Sequence, residues 1–173
     1  MKNADQISLI TFATDAAVAA PLSADPSAIA RSIQALRIDP AEERGFTNTP
    51  AALRMAQTEL NSSRHNENAR RVAVMLTDGL PTAPGDEDVA GQAIRVGKTL
   101  GEDGIGLYAI GLGEEVNRAF VESLVADPEN AFLAPTTAEL SDIYNQITSS
   151  LCTAGPTKID VIAKGDIIFA PLR

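Results

Sequence analysis

The sequence predicts an α/β protein whose mainly parallel, doubly wound sheet is flanked by helices. Apolar runs with the composition of strands alternate with amphipathic helical segments along the chain, which is the pattern of parallel sheets. Two of these runs, Val72–Leu76 and Ile105–Leu112, are almost uniformly apolar, as strands buried on both faces are. A carboxylate, Asp78, follows the first of them on a Gly/Pro turn. Open α/β sheets bind ligands at the carboxyl ends of their strands, so this position indicates a binding site.

The first part of the chain is predicted to form a hairpin and a helix. Ile7–Ala13 is rich in β-forming residues, and a turn at Thr14-Asp15 leads to a second strand over Ala17–Leu22. Asp25 and Pro26 have the residue types of an N-cap and a first helical position. The helix after them turns an apolar face inward through Ile29, Ile33 and Leu36.

A second helix and the Val72–Leu76 strand are predicted next. Residues 37–46 form a polar connection, and the helix begins at Thr49-Pro50. Its inward side carries Leu53, Ala56 and Leu60, and a hydrophilic loop over residues 61–68 leads to the strand.

The remaining elements continue the alternation of helix and strand. They are a loop at 81–88, a helix at Val89–Leu100, the strand Ile105–Leu112, a short helix at Asn117–Val125, a short strand at Phe132-Leu133 and a last helix at Ala138–Leu151. We therefore assign residues 1–152 to one domain.

The tail, residues 153–173, has a different character. A linker at Thr153–Pro156 precedes two β-like runs placed around Lys164-Gly165. Two interpretations are open: the tail begins another domain, which is the favoured one, or it pairs onto the sheet as an extra strand.

Composition and charge exclude several classes of protein. The chain has 173 residues, a formal net charge of −9 and only 4% aromatic residues, which argues against a nucleic-acid-binding surface. It has no apolar run long enough for membrane insertion and no signal peptide in this segment. A single cysteine, Cys152, excludes an internal disulfide. The abrupt start just before a strand is typical of a piece of a longer protein.

No enzyme motif is convincing. Residues 91–99 suggest a phosphate-binding loop, but five residues separate their glycines where the motif requires four. Residues 111–116 lack the third glycine of a dinucleotide fingerprint. His65 is the only histidine and lies in a polar loop, so the sequence predicts no catalytic residues.

Five segments in a fixed order resemble the von Willebrand factor type A domain over residues 4–152. They are ISLITFA, GFTNTPAALRMA, RRVAVMLTDGLP, GIGLYAIGLG and the closing helix that ends in SSLC. The resemblance implies a Rossmann-like fold. It also implies that the family's central first strand, Asp-x-Ser-x-Ser loop and first helix are absent from this sequence. That strand would lie between Ile7–Ala13 and Val72–Leu76, so an upstream segment, a second chain or the tail would have to fill the gap. Within the tail, Ile167–Ala170 resembles the apolar part of such a strand.

The resemblance also implies a partial metal-ion-dependent adhesion site. Thr47 and Asp78 match the family's threonine and aspartate ligands for Mg²⁺, for which Mn²⁺ or Ca²⁺ can substitute. Hard oxygen ligands suit such ions. The expected partner-binding rim consists of Phe46, Asn48, Thr49, Gly79 and Leu80. The residue types leave simpler roles open, because Thr49 before Pro50 suits an N-cap and Asp78 suits a turn.

The function implied is that of a non-enzymatic adhesion or protein-binding module. In the intact protein the ion would bridge to a carboxylate of the protein partner. Extracellular members pair a cysteine at the position of Cys152 with one before the first strand, which favours an extracellular or cell-surface location, although a lone buried thiol is equally compatible. The alternatives are an accessory domain of an intracellular ATP-driven chelatase or remodelling complex and a metal-independent scaffold. The sequence does not predict an oligomeric state.

Overall fold

The computed structural model describes residues 5–37, 46–83, 88–134, 136–152 and 159–164. The elements found there are β1 (Ile7–Phe12), β2 (Ala16–Ser23), α1 (Pro26–Ala35), α2 (Thr49–Leu60), β3 (Arg71–Thr77), α3 (Val89–Glu102), β4 (Ile105–Leu112), α4 (Arg118–Leu124), a 3₁₀ turn (Pro128–Asn130), β5 (Ala131–Ala134), α5 (Thr137–Cys152) and β6 (Ile159–Lys164). The predicted order of strands and helices is confirmed.

The strands form one sheet in the order β2-β1-β6-β3-β4-β5. β2 runs antiparallel to β1, whereas every other neighbouring pair is parallel. The predicted hairpin and the mainly parallel sheet are therefore both confirmed. Parallel pairing brings the carboxyl ends of β1, β6, β3, β4 and β5 to the same edge of the sheet, which we call the carboxyl edge.

The tail lies inside this sheet. β6 pairs with β1 along its whole length, from Ile7–Ile159 to Phe12–Lys164, and with β3 over Ala73–Met75. For residues 159–164 the favoured interpretation, the start of another domain, is therefore wrong, and the extra-strand alternative describes them. β6 occupies the place between β1 and β3 that the resemblance left empty. The apolar run Ile167–Ala170, which was one of several candidates for that place, lies outside the described residues.

The two larger apolar clusters lie on opposite faces of the sheet. One cluster joins the sheet to α2, α3 and α4, and the other joins it to α5. β3 contributes to both, because Ala73 and Met75 lie in the first cluster while Val72, Val74 and Leu76 lie in the second. Burial on both faces explains why this strand is uniformly apolar in sequence.

The inward positions predicted for α2 are confirmed. Leu53, Ala56 and Leu60 are fully buried. The predicted N-cap of α1 is confirmed as well, since the Asp25 Oδ1 atom accepts a hydrogen bond of 2.9 Å from the backbone N–H of Ser27. Among the described helices, none combines the length and the apolar character needed to cross a membrane.

Candidate functional site

Two loops that carry the predicted site residues meet at the carboxyl edge. Thr47 lies just before α2, and Asp78 lies just after β3. The backbone N–H of Thr47 donates to the Thr82 hydroxyl over 2.9 Å, and the N–H of Thr82 donates back to the Thr47 carbonyl over 3.0 Å. These reciprocal hydrogen bonds hold the loop before α2 against the loop after β3.

Asn48 fixes the same loop to the end of β1. Its backbone N–H donates to the Ala13 carbonyl over 2.8 Å, and its side-chain Nδ2 donates to the Thr14 carbonyl over 2.9 Å. Three loops, those that follow β1 and β3 and the one that precedes α2, are thus joined by hydrogen bonds at one edge of the sheet.

The N-cap of α2 is Asn48, so the predicted cap, Thr49, is wrong. The Asn48 Oδ1 atom accepts from the backbone N–H of Ala51 over 3.2 Å, and Thr49 is the first residue of the helix. Asparagine is among the strongest N-cap residues, because its short side chain reaches the free N–H groups of the first turn. One residue therefore both begins α2 and anchors it to β1.

We expect Asn48→Ala to lower the free energy of unfolding by about 1–3 kcal/mol, since it removes the cap and leaves the Thr14 carbonyl without this donor. Urea denaturation of both proteins measures the change. Asn48→Asp is the matched control, because it keeps the capping oxygen and a charge suited to a helix N-terminus but replaces the donor to Thr14 by an acceptor. An equal decrease in the free energy of unfolding in Asn48→Ala and Asn48→Asp would show that the cap contributes nothing to stability.

The turn that carries Asp78 is closed by Thr77, for which no role was predicted. The Thr77 hydroxyl donates to the Gly79 carbonyl over 3.0 Å and accepts from the Gly79 N–H over 3.4 Å. Thr77 is fully buried, whereas Asp78 is exposed. The threonine at the strand end, directly before Asp-Gly, is the sequence signal that marks such a turn. The role of Thr82 in joining the loops was not predicted either, because it depends on a contact 35 positions away in sequence.

The hydroxyl groups of Thr47 and Thr49 lie beside this turn. Their oxygen atoms are of the kind that hard cations prefer as ligands. Thr47 and Thr49 are almost fully buried, with 3% and 0% of their surfaces exposed. Within the described residues, the Thr49 Oγ1 atom is buried and has no hydrogen-bond partner. Buried hydroxyl groups are rarely left in that state, so this oxygen is available to accept or donate a further hydrogen bond or to contact a cation.

The number of such donors is smaller than an enclosed cation site requires. The part of the chain that the structure describes contains no group of three or more His, Cys, Asp or Glu residues placed to hold a metal. The central strand ends at this edge on Lys164, which is not an oxygen ligand. Mg²⁺ commonly keeps several waters and uses one or two carboxylates. In chemical type, the hydroxyl of Thr47 and the carboxylate of Asp78 suit at most a weak, open site for such an ion.

The predicted rim divides into exposed and buried residues. Phe46 and Leu80 are 48% and 46% exposed, and they flank the Thr47–Thr82 hydrogen bonds in sequence. Gly79 is partly exposed, whereas Asn48 and Thr49 are buried. Two large apolar side chains are thus available at the surface beside the site.

Comparison with known proteins gives a family and a fold. A family model of the von Willebrand factor type A domain matches residues 1–146. The mouse collagen alpha-5(VI) chain is 29% identical over 133 residues, which cover 75% of this chain and 5% of the collagen chain. The thrombospondin-related anonymous protein of Plasmodium falciparum is 32% identical over 81 residues, which cover 47% of this chain and 13% of that protein.

A solved structure extends the likeness to three dimensions. The structure is of proximal thread matrix protein 1 from the mussel byssus with a zinc-occupied MIDAS motif. It has a TM-score of 0.66 and 16% identity, and the match covers 85% of this chain and 36% of that one. This likeness shows the fold, and the chain spans only a small part of the length of the curated relatives it matches.

Proposed function

This chain belongs to the von Willebrand factor type A domain family, and from that premise we propose that it is a non-enzymatic module that binds a protein partner at its carboxyl edge. The pair of reciprocal hydrogen bonds between Thr47 and Thr82 carries the proposal. It fixes the threonine loop before α2 against the loop that presents Asp78, so the two predicted ligand loops lie together.

Thr47 and Asp78 are the residues that would hold a divalent cation, and the buried hydroxyl of Thr49 supports a polar ligand beside them. A bound Mg²⁺ would supply an open coordination position for a carboxylate of the partner. The chain's own residues do the rest: Asn48 and Thr82 hold the loops, and Thr77 shapes the turn that exposes Asp78.

The partner-binding surface in this proposal consists of Phe46, Gly79 and Leu80. Because Phe46 and Leu80 are about half exposed, they can contact apolar groups next to the partner's carboxylate. Aromatic and other apolar side chains are common at the centre of protein interfaces, with polar contacts around them.

An extracellular or cell-surface location, as part of a longer protein, is the second part of the proposal. Its support is that the matches include a collagen VI chain and a matrix protein of the mussel byssus. Two nucleotide-binding motifs were rejected on spacing, and no pairing of nucleophile and base can be built from sequence position alone, which supports a role without catalysis.

Titration of Mn²⁺ into the chain by calorimetry tests the cation site. We expect weak, saturable binding that Asp78→Ala reduces at least tenfold, equivalent to about 1.4 kcal/mol. Asp142→Ala, which removes an exposed carboxylate on α5, is the matched control and should leave the affinity unchanged.

The outcomes separate the proposal from its alternative. An equal loss of Mn²⁺ affinity in Asp78→Ala and Asp142→Ala would show that the ion binds the acidic surface without a defined site. No saturable binding by the unaltered chain would favour the metal-independent scaffold, because the described residues provide few ligands.

A further inference from the structure

A cavity of about 310 Å³ lies where β4 begins, at the end of the sheet opposite the carboxyl edge. Its volume is within the range of sites that enclose small ligands, roughly 300–1,000 Å³. One wall comes from the end of α3 through Gly97 and Gly101, and another comes from the start of β4 through Gly106. These glycines have no side chains to fill the space, so main-chain atoms border the cavity.

The first half of β4 has a free edge at this cavity. β3 pairs with β4 from Ile105 onward, whereas β5 pairs with it only from Ala109 onward. Among the described residues, Ile105–Tyr108 therefore have no neighbouring strand on the side of β5. An unpaired strand edge presents main-chain N–H and C=O groups that can bind another chain. This free edge extends over about 13 Å, and most of its residues line the cavity.

Three residues with polar side chains, Arg70, Asp127 and Asn130, also line the cavity. Arg70 is exposed, and its guanidinium makes no hydrogen bond or ion pair to another described residue. Asp127 is held in place, because its Oδ1 atom accepts a hydrogen bond of 3.0 Å from the N–H of Glu129. A guanidinium can pair with a carboxylate through two parallel hydrogen bonds, and a side-chain amide both donates and accepts. The cavity therefore offers an unpaired cation and, in Asn130, a group that matches a peptide bond.

The start of β5 limits what can lie along the free edge of β4. A strand placed beside Ile105–Tyr108 meets β5 where Ala131 pairs with Ala109, so it cannot continue along β4. The end of a chain satisfies this limit, whereas an internal segment would have to turn back within the cavity. Of the two ends of a polypeptide, the carboxylate is the one that the unpaired Arg70 can bind.

We propose that this cavity binds the carboxyl end of an extended segment of another polypeptide. The terminal carboxylate pairs with Arg70, and the main chain of the last residues forms hydrogen bonds with the free edge of β4. Asn130 and the Oδ2 atom of Asp127 contact the peptide groups from the other side. Addition of a strand to a sheet edge and capture of a terminal carboxylate are both recurring modes of peptide recognition. The cavity lies at the other end of the sheet from the proposed carboxyl-edge site and goes beyond that function.

Fluorescence anisotropy of the full chain with a fluorescein-labelled peptide, Gly-Ser-Gly-Val-Thr-Val, tests this site. The β-branched residues of the peptide favour an extended main chain. The titration is made in EDTA, so its result does not depend on the proposed cation site. We expect saturable binding of one peptide per chain, and at least tenfold weaker binding of the same peptide with a terminal amide in place of the carboxylate. Hydrogen exchange at the amides of Ile105–Tyr108 should slow when the peptide is bound.

A pair of arginine variants separates recognition in the cavity from general attraction to positive charge. Arg70→Gln should weaken binding of the peptide at least tenfold, because it removes the partner of the carboxylate. Arg54→Gln is the matched control, because Arg54 is also exposed but lies on α2, and it should leave the affinity unchanged. Equal affinities for the acid and the amide would overturn the proposal, as would an equal effect of the two variants. Absence of saturable binding to the unaltered chain would overturn it as well.

Discussion

Gly97→Ala is expected to lower the free energy of unfolding by about 3 kcal/mol, since it forces two packed helices apart. A Cβ atom on Gly97 would lie 2.2 Å from the backbone carbonyl oxygen of Leu124, at the end of α4. A backbone atom cannot rotate away as the end of a side chain can. α3 and α4 must therefore separate, which disturbs the apolar cluster that both helices share with the sheet.

Gly101→Ala is the matched control, because it places the same methyl group one turn further along α3. The nearest atom there is the Cβ of Ala126, at 3.4 Å, and Gly101 is exposed. Alanine is the better helix former by about 1 kcal/mol, so this variant should be as stable as the unaltered chain or more stable. Urea denaturation measures both changes, and similar stabilities for the two variants would contradict the close approach of α3 to α4.

Glu59→Ala is expected to lower the free energy of unfolding by about 2–4 kcal/mol. Glu59 lies at the other end of α2 from the candidate site. This residue is only 3% exposed and accepts a 2.7 Å hydrogen bond from the Leu22 N–H in β2. Both of its oxygens also accept from Arg64, over 3.0 Å from Nε and 2.5 Å from Nη2. Loss of the carboxylate leaves the buried Leu22 N–H without this acceptor and removes a hydrogen bond that joins α2 to β2.

The same contacts make the stabilisation by the Glu59 carboxylate depend on pH in a defined way. Burial raises the pKa of the Glu59 carboxyl, but the hydrogen bonds from Arg64 and Leu22 and the charge of Arg64 together lower it below its usual value of 4.5. A lowered pKa in the folded state means that the stabilisation is complete above pH 4.5 and is lost as the pH falls through the folded-state pKa.

Glu59→Gln is the control for this effect, because the amide keeps an acceptor for Leu22 but carries no charge. The difference in stability between the unaltered chain and this variant should be constant near neutral pH and decrease below pH 4.5. Denaturation curves measured between pH 7 and pH 3 show this directly. A difference that stays constant over the whole range would exclude a role for the Glu59 charge.

Much of the candidate site follows from local sequence. Asp78 after an apolar run and Thr47 before a helix are placed by patterns of a few residues, and the structure brings their loops together. Their roles as ligands remain predictions. The roles of Asn48 and Thr82 were not predicted, because each depends on a hydrogen bond to a segment about 35 residues away in sequence.

The sequence by itself determined the fold class and nearly every element, because burial on one or both faces leaves a clear hydrophobic period in the chain. Only the tertiary structure decided what fills the centre of the sheet. IDVIAK has two charges in six residues and does not look like a buried parallel strand, and its position depends on backbone pairing with β1 and β3 rather than on its own pattern. Composition and periodicity do not show which strands pair through hydrogen bonds. The position of a segment that mixes charged and apolar residues can therefore be assigned only when the neighbouring strands are known.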